Sequence, residues 1–134
     1  MPACRQAGKG FMAKKVLIVD DEEAIRAGFQ EIFKGRGFDV MTAAFGTEAC
    51  DIAKKYKPDI VILDYYLSDR LSGVEVCKFI RSKPELSHAK IVMITGVLAK
   101  KQAHEMMRFG FDKVLMKPVQ GPELLDEVSS LIQD

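Results

Sequence analysis

The chain has 134 residues and a formal net charge of +1, a size that suits one domain with a core able to stand without metal or disulfide staples. The near-neutral balance gives no electrostatic case for a direct nucleic-acid or membrane-surface binder, which shows a basic face or run, and no apolar stretch approaches the length of a membrane span. The three cysteines, Cys4, Cys50 and Cys77, make neither a CxxC pair nor a zinc spacing, so they read as reduced thiols of a cytoplasmic protein.

Residues 1–13 lack the apolar middle of a signal peptide and read as a flexible N-terminal extension, with the domain over 14–134 and Met12 as an alternative start. The first strand is the β-branched run Val16 to Val19, and Asp20, Asp21 and Glu22 follow it directly. Ile25, Phe29, Ile32 and Phe33 then recur at helical spacing, with Gly35 and Gly37 at the helix end. A weaker strand, Phe38 to Ala43, precedes a helix carrying Ala49, Ile52, Ala53 and Tyr56, which Pro58 stops. The third strand, Ile60 to Leu63, ends in Asp64. Ser72 with Glu75 is a capping box opening a helix over Val76, Cys77 and Ile80, and Pro84 follows it. Ile91 to Ile94 form a fourth strand ending in Thr95 and Gly96. A helix with Ala103, Met106 and Met107 runs to Gly110, and its methionines are assigned to the core. Val114 to Met116 form the fifth strand, ending in Lys117 and Pro118. The last helix opens at Gly121-Pro122 and carries Leu124, Leu125, Val128, Leu131 and Ile132.

This βαβαβαβαβα alternation, with strands apolar on both faces, predicts an α/β fold: a doubly wound five-stranded parallel sheet in the order 2-1-3-4-5. In that order the first and third strands are neighbours, and ligands bind beyond the carboxyl ends of strands where the chain reverses direction. Asp20, Asp21, Asp64, Thr95 and Lys117 all stand at carboxyl ends, so one rim collects them. Carboxylates brought together repel by roughly 4 kcal/mol per pair at about 4 Å and an effective dielectric near 20. One lysine cannot offset several such pairs, whereas a hard divalent cation can, and oxygen ligands with room for water suit Mg²⁺. A carboxylate in such a site can act as nucleophile toward phosphorus, with Lys117 and Thr95 holding phosphoryl oxygens.

These pieces, VLIVDDE at 16–22, DIVILD at 59–64, IVMITG at 91–96 and MKP at 116–118, are where a family resemblance becomes specific. Lys15 to Ile132 resembles the receiver domain of two-component response regulators, a flavodoxin-like (βα)5 fold. The resemblance implies that Asp64 is the phosphoacceptor, with Thr95 as switch hydroxyl and Lys117 as phosphate-binding lysine. It implies that Asp20, Asp21, Asp64 and the backbone carbonyl of Tyr66 ligate Mg²⁺ or Mn²⁺. It implies a sensor histidine kinase or phosphotransfer protein as partner and an output face on the fourth helix, fifth strand and fifth helix. The molecule is then a signalling switch rather than an enzyme, a monomer or a phosphorylation-linked dimer, and either a single-domain regulator or part of a longer chain.

Three departures from the family pattern stand out. Val114 occupies the position of the usual switch aromatic. In the loop after Asp64, Ser68 replaces a common proline and glycine arrives one residue late, at Gly73. Tyr66 and Val97 hold the positions that tune dephosphorylation, and neither orients water as an acid or amide does, which predicts slow loss of the phosphoryl group. Two other readings compete. One is a phosphorylation-independent docking module, suggested by Val114. The other is a carboxylate-nucleophile phosphatase, disfavoured because its general acid would have to be Tyr66. Tyr65 and Tyr66 read as packing aromatics, and His88 and His104 as surface residues without ligand-spaced partners.

Overall fold

A computed structural model describes residues 13–67, 71–96 and 100–132. The expected 1–13 extension with Cys4, and positions Ser68 and Val97, therefore lie outside the described residues, apart from Ala13. Five parallel strands alternate with five helices: β1 Lys15–Val19, α1 Glu23–Gly35, β2 Asp39–Ala43, α2 Gly46–Tyr56, β3 Ile60–Asp64, α3 Gly73–Arg81, β4 Lys90–Thr95, α4 Lys100–Met106, β5 Lys113–Met116 and α5 Gly121–Ile132. Short 3-10 turns at Pro84–Leu86 and Met107–Phe109 precede β4 and β5. The sheet order is β2-β1-β3-β4-β5, the order the alternation predicts.

The pleat sorts the sheet's side chains between two cores. Leu17, Val19, Val61, Leu63, Ile91 and Met93 face the side covered by α2 and α3. Val16, Ile18, Ile60, Ile62, Val92 and Ile94 face the side covered by α1 and α5. Each such side chain gains about 1.5–3 kcal/mol on leaving water. This two-sided burial explains why the strands are continuous apolar runs rather than alternating ones. Edge strand β2 departs from this pattern, with Asp39 and Met41 exposed, which is why its sequence signal is weak.

Local signals set the helix ends. The capping box is formed in full: Ser72 Oγ accepts from the Glu75 N–H at 3.3 Å, and Glu75 Oε1 accepts from the Ser72 N–H at 3.0 Å. Gly110 takes a left-handed φ of 106° at the turn before β5, a conformation glycine adopts without penalty. α2 ends instead on Lys57 at φ 53°, with Pro58 preventing continuation. Cys50 and Cys77 are buried thiols outside any disulfide. Burial pushes the Cys77 thiol up to about 11, and its Sγ–H donates to the Phe109 carbonyl at 3.3 Å. Among the described residues no helix is long and apolar enough to cross a membrane.

Candidate functional site

The site is built by carrying the sheet's hydrogen-bond ladder past the strand ends. Beyond β1, the Asp20 N–H donates to the Ala43 carbonyl at 3.1 Å. Beyond β3, the Tyr65 N–H donates to Ile94 O at 3.0 Å, which fixes the peptide that follows Asp64. Beyond β5, the Lys117 N–H donates to Thr95 O at 2.8 Å, setting the lysine beside the threonine that ends β4. Asp20, Asp64, Thr95 and Lys117 thus leave a paired backbone whose direction is already determined.

The predicted convergence is present. One carboxylate oxygen from each of Asp20, Asp21 and Asp64 lies within 4.8 Å of the others. Asp20 and Asp64 are buried, at 3% and 7% exposure, while Asp21 is exposed. Lys117 reaches into the group, with Nζ 3.3 Å from Asp64 Oδ2 and 3.7 Å from Asp20 Oδ2. Asp20 Oδ1 accepts the Glu22 N–H at 2.9 Å, so its other oxygen is the one turned toward the lysine and the remaining acids. Thr95 is fully buried at the end of β4. Tyr66 carries its ring 61% exposed, set edge-on against Tyr65 at 4.6 Å. Tyr65 packs on the core as expected, but Tyr66 does not.

The electrostatics are those of a site short of positive charge. Burial, the largest cause, raises the Asp64 pKa above the ordinary carboxylate value; the Asp20 charge raises it further, and Lys117 pulls it back. Asp20 is also raised, again first by burial, while the Glu22 N–H and Lys117 oppose the shift. For Lys117 burial pulls the pKa down, yet the Asp20 and Asp64 charges outweigh it and the net shift is upward. Asp20 and Asp64 therefore gain by neutralisation, while Lys117 supplies only part of it. Three oxygens this close, two of them buried, fit the donor set of a hard divalent cation with open positions for water.

Arg26 escaped the sequence reading, and Gly73 has a contact there that the reading did not assign. Arg26, in the first turns of α1, donates from Nη1 to the Asp20 backbone carbonyl at 2.8 Å. It lies four residues after Glu22, on the same helix face, and that spacing was the available signal. Gly73, one residue late by the family pattern, donates its N–H to Tyr65 O at 3.0 Å. A Cβ added there would lie 2.5 Å from Asp64 O and 3.2 Å from Tyr65 Cα. The loop thus returns onto the Asp64 peptide so closely that only glycine fits. Beside the rim, a largely apolar cavity of about 560 Å³ opens between α1 and the β5–α5 loop, lined by Ile25, Phe29, Gly96 and Lys117 among others.

Comparison with known proteins agrees with this arrangement. The polar-differentiation response regulator DivK of Brucella anthropi is 28% identical over 123 residues, 92% of this chain and 99% of the relative. The chemotaxis response regulator CheY4 of Vibrio cholerae superimposes with a TM-score of 0.84 at 29% identity, over 90% of this chain and all (100%) of that one. The receiver domain of the Francisella response regulator 1452 shares the fold at a TM-score of 0.80 and 24% identity, over 88% of this chain and 95% of that one. The response regulator receiver domain profile matches residues 16–129, from β1 into α5, and the chain belongs to that family.

Proposed function

We propose that the chain is a phosphorylation-controlled switch of the cytoplasm, in which a sensor histidine kinase or a phosphotransfer protein donates a phosphoryl group to Asp64. The observation that carries this reading is the meeting of three carboxylates within 4.8 Å beside Lys117. An Asp64 carboxylate oxygen attacks phosphorus, the bond from phosphorus to the donor histidine nitrogen breaks, and that nitrogen keeps the electron pair. Asp20, Asp21, Asp64 and the Tyr66 carbonyl would hold Mg²⁺ or Mn²⁺, which supplies neutralisation of the acids and of the incoming phosphoryl oxygens. Lys117, already 3.3 Å from Asp64, transfers its ion pair to a phosphoryl oxygen once the carboxylate becomes an acyl phosphate. The Thr95 hydroxyl takes another oxygen. Because Thr95 ends β4, its movement draws on the chain leading into α4 and alters the face formed by α4, β5 and α5.

The molecule catalyses its own phosphorylation and slow dephosphorylation and acts on no other substrate. Tyr66 offers no acid or amide to align water near the phosphoryl group, so the phosphorylated form outlives a timescale of seconds. Incubation with acetyl phosphate and Mg²⁺, followed by intact mass measurement, tests the reading. A phosphoryl adduct lost in Asp64→Asn is the expected result, and an adduct that persists in that variant moves the nucleophile elsewhere.

Val114 favours a second reading. It is half-buried and packs against the α2–α3 core, so β5 has no aromatic ring there to move between outward and inward positions. A docking module indifferent to phosphorylation would leave the spectrum unchanged when beryllofluoride and Mg²⁺ are added. Shifts around Asp64 and Thr95 support the switch.

A further inference from the structure

Beside the acidic rim, Arg26 Nη1 donates to the backbone oxygen of Asp20 at 2.8 Å. Its position poses an electrostatic problem, because a fixed positive charge beside a cation site opposes the cation. The geometry points to a positioning role that outweighs this repulsion: Arg26 sets Asp21 for metal binding by clamping the peptide between Asp20 and Asp21. The inference rests on the phosphoacceptor reading above and adds a residue to it.

Asp20 is fixed several times over: its N–H is on Ala43 O, its Oδ1 is on the Glu22 N–H, and the residue is 3% exposed. Asp64 is within β3, paired in register with Ile94 and 7% exposed. Asp21 is the exposed member of the three, lying between the last strand residue's neighbour and the start of α1 at Glu23. A peptide unit is planar, so the direction of the Asp20 carbonyl fixes the direction of the Asp21 N–H and the origin of its Cα–Cβ bond. Arg26 holds that carbonyl from a helix whose own turn is closed by the Arg26 N–H on Glu22 O at 3.1 Å. The guanidinium and the acids are thus two ends of one short rigid link from α1 to the rim. Groups that orient metal ligands from behind typically change metal affinity by roughly 10–100-fold when removed.

The test is titration of the metal-free full chain with Mg²⁺ by calorimetry and with Mn²⁺ by electron paramagnetic resonance. It is run on wild type, Arg26→Met, Arg26→Lys, Asp21→Asn and the Arg26→Met/Asp21→Asn pair, with melting in EDTA alongside. Positioning through Asp21 predicts that Arg26→Met weakens cation binding roughly tenfold. It predicts that Arg26→Lys, which keeps the charge and a donor, recovers part of the loss. It also predicts that Arg26→Met has little further effect once Asp21 is already asparagine. A merely structural arginine would lower the melting temperature and leave the affinity alone, which overturns the inference. Tighter binding in Arg26→Met would show that repulsion dominates and overturns it too, as would an undiminished effect in the Asp21→Asn background. Wild type that binds neither cation overturns the metal reading itself, a failure distinguishable from the others because it appears before any substitution.

Discussion

Strand β3 carries an aspartate at each end, and the two live in opposite circumstances. Asp59, just before the strand, is satisfied: Oδ2 accepts the Lys15 N–H at 2.8 Å and Oδ1 faces His88 Nε2 at 3.5 Å. Asp64, its last residue, faces two other carboxylates and shares one lysine with Asp20. The same contrast holds for the whole sheet. At the amino-end rim, Asp112 Oδ2 accepts from the Ile91 N–H at 2.7 Å and from Arg81 Nη2 at 2.8 Å. Lys15 Nζ donates to Tyr56 O at 2.9 Å. Acids at that rim stitch one strand to the next. Acids at the carboxyl-end rim are concentrated beyond what the chain itself neutralises, which is the electrostatic mark of a ligand site rather than a scaffold.

The largest effect expected is at the stitched rim. Arg81 donates from Nε to Gly110 O at 2.9 Å, from Nη1 to Ala89 O at 2.8 Å and from Nη2 to Asp112. Arg81→Met removes all three bonds and leaves a partly buried carboxylate without its cation. The expected cost is about 2–4 kcal/mol, read as a melting temperature lower by roughly 10 °C. Below that temperature the rate of phosphorylation by acetyl phosphate stays near wild type. An Arg81→Met protein that melts normally but phosphorylates poorly would erase the distinction between the two rims.

Gly73→Ala comes next, and it acts at the other rim. Its Cβ would meet Asp64 O at 2.5 Å, a backbone atom that cannot swing aside, so overpacking costs about 1–3 kcal/mol. Since the displaced peptide belongs to Asp64, phosphorylation slows as well as stability falling; a stopped assay at fixed acetyl phosphate reads the first and thermal melting the second. Gly121→Ala is the control. Its Cβ would run into Ile32 Cδ1, the end of a flexible side chain, so it loosens the contact between α1 and α5 and leaves the phosphorylation rate unchanged below the melting temperature.

The legibility of the molecule in its sequence follows the same division. Strand order and the convergence of Asp20, Asp21, Asp64, Thr95 and Lys117 were readable because each residue directly follows an apolar run, and the fold rule carries all such positions to one rim. Arg81, Asp112 and Asp59 were not, because their partners lie 8 to 44 residues away in the chain and no periodicity links them. Tyr66 departs from the expected packing role because it stands two residues beyond the end of β3, where it is exposed. The methionine pair divides likewise, with Met106 packed on the core and Met107 40% exposed. His88 is exposed as expected, yet it has an acidic neighbour that spacing alone did not reveal.

The smallest effect is also the sharpest, because one substitution made at the two ends of one strand should change sign. Asp59→Asn keeps an acceptor for the Lys15 N–H but loses the charge that strengthens that bond and attracts His88, a cost of about 1 kcal/mol. Asp64→Asn keeps the shape of its side chain and removes a buried charge. It forfeits the attraction of Lys117, but Lys117 keeps Asp20 as partner, and the repulsion from Asp20 and Asp21 disappears along with the burial penalty. At an effective dielectric near 20 one attraction and one repulsion at these separations are each roughly 3–5 kcal/mol and nearly cancel. What remains is the second repulsion, screened because Asp21 is exposed, and the penalty of burial, so Asp64→Asn stabilises the metal-free protein by about 1 kcal/mol. Melting in EDTA therefore moves down for Asp59→Asn and up for Asp64→Asn. Saturating Mg²⁺ raises the wild-type midpoint and closes the gap to Asp64→Asn, because a cation bound only by the folded protein stabilises it. If both asparagine variants melt below wild type in EDTA, Asp64 is held as securely as Asp59, and the carboxyl-end rim stores no electrostatic free energy for a ligand to relieve.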